Sequence, residues 1–362
     1  MDNTAMLEKL NILMASVQPL DESAMAAARE RQARLAKPPG SLGKLEELSV
    51  QLSGISGKCF NWIETMEILV FAADNGVVAE GISSAPQSVT LQQTVNIAKG
   101  ITGVGVLAKC FGCKLTVCDV GVNGYIDNPS VINHKIAYGT GNIVKGPAMT
   151  RSQTLEAMLA GAELAMNSQA DVLGIGEMGI GNTTTSSAIL SVLLGIEAEI
   201  VTGRGGGLND ESFARKKTVI KSAIELNRPD KENVIDVLSK LGGFDIAAMC
   251  GALIAAAAAK KPVVIDGFIS AVAALCAVRL CPAVRCYLIP SHASKEPGYA
   301  LAMEALGLKP MLLLDMRLGE GSGCPLAFQL LKAAYAVMNN MASFDEAGID
   351  DSYLKNIRGM SF

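Results

Sequence analysis

The sequence predicts an α/β protein built on an open, doubly wound parallel sheet of about six strands. Two observations predict it. Short, uninterrupted apolar runs recur between helix-like segments, as buried parallel strands require. Composition is 50% hydrophobic but only 4% aromatic, with 36 glycines, which suits helices packed closely on a sheet better than an aromatic-rich sandwich. At 362 residues the chain exceeds the roughly 100–200 residues typical of one domain, so a large domain and a smaller one are expected.

Taken in order, the stretch up to about Gly54 reads as helices. Ala24–Ala36 is rich in Ala, Arg and Glu, LGKLEELSVQLSG carries leucines at helical spacing, and the turn KPPGSLG (37–43) separates them. The expected strands are Ile68–Ala73, Leu115–Val120, Val172–Ile175, a weak Ile200–Val201, Val263–Ile265, Tyr287–Ile289 and Met311–Leu314. Their spacing is too uneven for eight regular barrel units. The alanine run Ala255–Ala259 predicts a helix lying close on the sheet.

Composition also excludes. Half-hydrophobic and 18% charged, the chain can offset the entropy of ordering, so disorder is not expected. Net charge is −4, and no basic run exceeds three residues, the pair Lys216-Lys217 being preceded by Arg215 and Lys260-Lys261 standing alone, which argues against nucleic acid as a partner. The longest uncharged apolar stretch, Ile246–Ala259, falls short of the roughly 20 residues of a membrane span. The opening MDNTAMLEKL lacks a signal peptide's basic-then-apolar pattern. Of nine cysteines, only Cys110 and Cys113 form a CxxC string. With two histidines in the chain, His134 and His292, no metal site is expected, and structural thiols in a reducing cytoplasm are the favoured reading.

In open α/β sheets, ligands bind beyond the carboxyl ends of the strands. Those ends read ADNG (73–76), DVGVNG (119–124), GIGEMGIGNTTT (174–185), TGRGGGLND (202–210), DGF (266–268), PSHAS (290–294) and DMRLGEGSG (315–323). Small and acidic residues concentrate on this one edge. Gly174, Gly176 and Gly179 spell G-x-G-x-x-G after a strand, a weak dinucleotide signal because Glu177 in the loop would repel a pyrophosphate. Asn182 to Thr185 then open a helix whose hydroxyls and N–H groups suit a single phosphate. GRGGG (203–207) offers a second backbone cradle, with Lys216 downstream.

Glu177 and Glu320 each sit in a Gly-flanked loop, GEMG and GEGSG. Two carboxylates on one binding edge can serve acid–base chemistry or offset a cationic transition state. A helix-capping role is the plainer alternative for either alone. Asp74 and Asp266 end strands, where turn or cap roles are common. His292 is the only histidine near this edge, and no Ser/His/Asp constellation is present.

The strings KPPGSLGKLE, ADNGVVAEG, TGVGVL, GNIVKGPAM, GIGEMGIGNTT, DVLSKLGGFDIAAMCGA, DGFIS, LIPSHAS and MRLGEGSG together resemble the nicotinate-nucleotide–dimethylbenzimidazole phosphoribosyltransferases. The resemblance runs from about Arg31 to about Ala342. It implies a Rossmann-like parallel sheet, with a small helical domain formed from both chain ends (1–55 with 325–362) and a large catalytic domain (56–324). It also implies a homodimer whose partner borders the site, no cofactor, and transfer of phosphoribosyl from nicotinate mononucleotide to 5,6-dimethylbenzimidazole in assembly of the cobalamin lower ligand. Carried over by motif, the catalytic base falls on Glu320 and a second active-site carboxylate on Glu177. The phosphate turn falls on Gly179, Ile180, Gly181, Asn182 and Thr183, with Gly205 and Lys216 near the nucleotide. Ser294 joins the site, and Gln93 lies beside the acceptor. Ala85 stands before Pro86 where the resemblance leads one to expect serine, with Ser83 and Ser84 close by, so the acceptor base stays open. Two other classes fit parts of the sequence: a nicotinamide-dependent dehydrogenase, resting on G-x-G-x-x-G, and a non-catalytic nucleotide-binding regulator.

Overall fold

A computed structural model describes residues 2–356. The expected domain ends at Met1 and at residues 357–362 lie outside the described residues. Three helices open the chain: α1 (Asn3–Ser16), α2 (Glu22–Arg34) and α3 (Lys44–Ser56). Strand β1 (Met66–Ala73) follows, then α4 (Ser88–Lys99), α5 (Gly103–Cys110), β2 (Lys114–Gly121), β3 (Val131–Asn133), α6 (Arg151–Asn167) and β4 (Val172–Met178). Next come α7 (Asn182–Leu194), α8 (Ala198–Val201), α9 (Asp210–Asn227), α10 (Val234–Leu241), α11 (Phe244–Ala258) and β5 (Val263–Ile265). The chain closes with α12 (Phe268–Leu280), β6 (Leu288–Pro290), α13 (Pro297–Leu306) and α14 (Cys324–Asn340).

The six strands form one sheet in the order β3-β2-β1-β4-β5-β6, and every pairing is parallel. The order reverses between β1 and β4, the switch point at which such sheets open a crevice. Side chains alternate across the sheet. From β1, Leu69 and Phe71 join a core with α6, α11 and α12. Ile68 and Val70 join a second core with α3, α5 and α14. Both faces are covered, which explains why β1 and β4 are buried along their whole length. Helices α2, α3 and α14 lie against one another, whereas α1 lies against α6 and α11 on the opposite face. Among the described residues, no helix is long and apolar enough to cross a membrane.

Three expectations need correction. Ile200–Val201 is not a strand but the end of the short helix α8, with Ile200 exposed and Val201 buried. Met311–Leu314 contributes only an isolated bridge, from Leu312 to His292, and Leu313 is 84% exposed. The G-x-G-x-x-G glycines do not form a turn after the strand, because Gly174 and Gly176 lie inside β4. A side chain at Gly174 would strike Cys324, and one at Gly176 would strike the backbone of Glu320. These glycines clear space for neighbouring segments.

Candidate active site

A cavity of about 280 Å³ opens at the carboxyl edge, beyond the β1/β4 switch point. All eleven residues singled out from the sequence line it: Gln93, Glu177, Gly179, Ile180, Gly181, Asn182, Thr183, Gly205, Lys216, Ser294 and Glu320. They come from β4 and the turn after it, from the loop after β6, from the α8–α9 loop and the turn before α14, and from α4, α7 and α9.

One end has the chemistry of a phosphate cradle. Lys216 on α9 is 1% exposed, and its Nζ donates to Thr183 Oγ1 at 2.8 Å and to the Gly203 carbonyl at 3.0 Å. An ammonium has three donors, so one is left over from these two acceptors. A Cβ at Gly205 would sit 3.0 Å from Thr183 Oγ1 and 3.6 Å from Lys216 Nζ, so the three residues converge. Burial pushes the Lys216 ammonium down to about 8. Arg204, beside Gly205, is occupied: it donates to the Leu208 carbonyl, pairs with Asp210 at 2.6 Å and stacks on Phe213. These contacts brace the glycine loop.

The carboxylates stand over the middle of the cavity. Glu320 has φ +63° and is flanked by Gly319 at +86° and Gly321 at +84°. The left-handed region costs a non-glycine residue roughly 1–2 kcal/mol, a strain typical of functional positions. Its side chain is 5% exposed, and Oε2 accepts from the Val104 N–H at 3.2 Å. The loop passes so close to β4 that a Cβ at Gly176 would lie 2.5 Å from the Glu320 carbonyl oxygen.

Glu177 lies inside β4, one residue before its end, rather than in a loop, and is held by Asn182, the first residue of α7, whose Nδ2 donates to Glu177 Oε2 and, at 2.9 Å, to Asp245 Oδ2. Burial, reinforced by the charge of Asp245, pushes Glu177 up to about 8. Burial likewise lifts Asp245 to about 6. In the free site Glu177 therefore carries its proton near neutral pH. Asp266, at the end of β5, accepts from Gly323 N–H at 2.7 Å and Gly321 N–H at 3.1 Å, and burial lifts it to about 7. His292 Nδ1 lies 3.7 Å from Asp266 Oδ1 and is pushed down by burial.

Ile82, Ser83, Ser84, Ala85, Val89 and Gln93 form a mixed wall, and Ser84 Oγ would lie 3.6 Å from a Cβ at Gly206. Gln93 Oε1 accepts from Asn96 at 3.0 Å, and Ser83 Oγ accepts from the Ala85 N–H at 3.2 Å. Sequence reasoning gave no role to Asp266 or His292, although both stand in strand-end loops on the favoured edge. It missed Asp245 altogether, because that residue opens an otherwise apolar helix rather than ending a strand. All nine cysteines are free; of the CxxC pair, Cys110 is exposed and burial lifts the Cys113 thiol to about 11.

A family model described as Phosphoribosyltransferase matches residues 17–349. The nicotinate-nucleotide–dimethylbenzimidazole phosphoribosyltransferase of Clostridium perfringens is 49% identical over 352 residues, covering 96% of this chain and 98% of that one. The protein of the same name from Ruminiclostridium cellulolyticum is 50% identical over 338 residues, covering 92% and 96%. A crystal structure of the Thermus thermophilus protein of that name superposes with a TM-score of 0.87 at 38% identity, covering 91% of this chain and 99% of that chain. The matches in sequence and in backbone each cover more than nine-tenths of this chain, and the chain belongs to this phosphoribosyltransferase family.

Proposed function

We propose that this chain transfers the 5-phosphoribosyl group of nicotinate mononucleotide to 5,6-dimethylbenzimidazole, giving α-ribazole 5′-phosphate and nicotinate for the cobalamin lower ligand. The observation that carries the reading is a single cavity holding both Glu177 and Glu320 and, at one end, the converging Lys216, Thr183 and Gly205. The names of the half-identical relatives support it.

In the proposed reaction, the bond from C1′ to the nicotinate ring nitrogen breaks and a bond from C1′ to a benzimidazole nitrogen forms. The leaving group is a pyridinium, so it departs as a neutral ring nitrogen without an acid. The acceptor must shed its N–H proton, and Glu320 takes it, a role worth about 10²–10⁴-fold in rate. Glu177 faces the sugar. A cationic nicotinate ring docking beside it favours the ionised carboxylate, which then offsets the oxocarbenium-like charge at C1′. Attack opposite the leaving group converts a β bond to an α bond. Lys216, Thr183 and the glycine loop hold the 5′-phosphate, Asn182 holds Glu177, and Gly179, Ile180 and Gly181 shape the turn between. Ser294 lines the nucleotide side and Gln93 the acceptor side.

We also infer a homodimer in the cytoplasm, with residues 1–55 and 325–362 forming a small helical domain beside the catalytic 56–324. Exposed Ile101 and Val106 flank Gly103, over which the exposed Leu318 lies at the mouth of the cavity. An apolar patch there suits a partner bordering the site. Nine free thiols suit a reducing compartment. Packing of α2, α3 and α14 supports the helical domain. A monomer mass by light scattering at working concentration would overturn the dimer, and cell fractionation checks the compartment.

The deciding test is incubation with nicotinate mononucleotide and 5,6-dimethylbenzimidazole, followed by liquid chromatography and mass spectrometry. Nicotinate and α-ribazole phosphate should appear together. Nicotinate alone would indicate hydrolysis, and no turnover with any azole or phenol acceptor would refute the transferase reading.

A further inference from the structure

We propose that Asp266 is a positioning residue for Glu320: its carboxylate fixes the 319–323 turn from below and thereby sets where the Glu320 side chain meets the acceptor. The proposal rests on the reading of Glu320 as the base. Two residues of the turn, Gly321 and Gly323, donate their backbone N–H groups to this one carboxylate, while the Ser322 N–H between them closes the turn on the Gly319 carbonyl at 3.0 Å. The Gly323 N–H meets Oδ1 at 2.7 Å and the Gly321 N–H meets Oδ2 at 3.1 Å. Such a concave run of N–H groups is a natural seat for an anion. Here the anion is supplied by Asp266, the residue that follows β5.

The turn needs this tether. Glu320 and both its neighbours have positive φ, a conformation that the chain does not keep for local reasons. Above the turn, the Glu320 side chain has one backbone contact, from Val104. On its other side β4 comes up to it with Gly176, which has no side chain, and with the Glu177 carboxylate, which faces the Glu320 backbone N–H, so Asp266 is the anchor for the residues after Glu320. Asp266 is itself anchored: it is 3% exposed, and its own carbonyl accepts from Ser291 Oγ at 3.1 Å. A fixed carboxylate thus clamps the residue directly after Glu320 and the one two places beyond.

Asp266→Asn tests this without changing side-chain shape. An amide has a single oxygen, so in either orientation its NH2 faces a backbone N–H and one of the two tethers is lost. We expect kcat to fall about 10- to 100-fold, as an ångström-scale misplacement does, while KM for nicotinate mononucleotide stays within about threefold. In the Glu320→Gln background, D266N should lower kcat by less than about threefold further, because the group it positions is already disabled. Wild-type kcat in D266N would overturn the proposal. So would a loss seen wholly in KM, or equal fractional losses in the two backgrounds, which would mean that Asp266 acts independently of Glu320. Glu320→Gln at the wild-type rate would instead refute the reading of Glu320 as base. Circular-dichroism melts of each variant check folding. Asp266→Ser, which keeps one acceptor in a smaller side chain, serves the same cycle should the amide variant not fold.

Discussion

Gly176→Ala is the substitution with the most computable consequence. A methyl at this position in β4 would stand 2.5 Å from the Glu320 carbonyl oxygen and 2.6 Å from both the Glu320 carbonyl carbon and the Gly321 nitrogen. All three are backbone atoms, so no rotamer change relieves the clash. The 319–321 turn must retreat by about half an ångström before the contact reaches 3.0 Å, the shortest that real Cβ atoms keep. Misplacing a reacting group by about 1 Å costs roughly 10²-fold, so about tenfold in kcat is expected here. Strain of this kind costs roughly 1–3 kcal/mol of stability. The phosphate cradle lies on the other side of Glu177, and KM for nicotinate mononucleotide should hardly move. The assay is steady-state production of α-ribazole phosphate, read by chromatography, with a thermal melt to separate misplacement from unfolding. Full kcat in a folded G176A protein would refute the claim that close packing of the turn on β4 sets the position of Glu320.

Two further outcomes follow from the buried charges. Lys216→Met removes a charge-assisted contact to the 5′-phosphate and should raise KM for nicotinate mononucleotide by about 10- to 100-fold with a smaller change in kcat. Because burial holds Lys216 down at about 8, its positive charge is present below that pH and lost above it. Nucleotide affinity, measured calorimetrically, should therefore weaken as pH rises past about 8 in the wild type but not in K216M. Glu177 is lifted to about 8 against an ordinary value of 4.5. Between those values the folded chain retains a proton that the unfolded chain releases, so this group lowers stability as pH rises through the window. Glu177→Gln escapes that loss. It should melt above the wild type near pH 8, with the gap closing toward pH 4.5, while transferring poorly; an equal or lower melting temperature near pH 8 would contradict the burial argument.

What could be read in the sequence follows from how strongly burial writes itself into residue choice. Strands β1, β2, β4, β5 and β6 were legible because apolar runs are what a doubly covered parallel sheet demands. Strand β3 was not, since it is three residues long, at the sheet edge, and only Val131 is buried. Ile200–Val201 and Met311–Leu314 were misread for the converse reason: two to four apolar residues say nothing about hydrogen bonding, and Leu313 is left almost fully exposed. At the site, strand-end loops announced Glu177, Glu320 and the phosphate turn through their glycines. Their supports were silent. Asp245 acts through Asn182 from the start of α11, and Asp266 acts on backbone N–H groups. Contacts of that kind leave no spacing pattern along the chain.

The order of the strands also bears on when this protein becomes an enzyme. Val70 of β1 pairs with Val117 on one side and with Gly176 on the other, and one wall of the cavity beyond the carboxyl ends of these strands is the turn that carries Glu320. During synthesis, β1 and β2 can meet early, but parallel pairing across long crossovers is slow, and the wall that carries Glu320 emerges only after about seven-eighths of the 362 residues. Refolding followed by circular dichroism and by product formation should therefore show helices returning well before turnover. Glu177 and Asp245 stay hydrated, and chemically ordinary, until folding buries them.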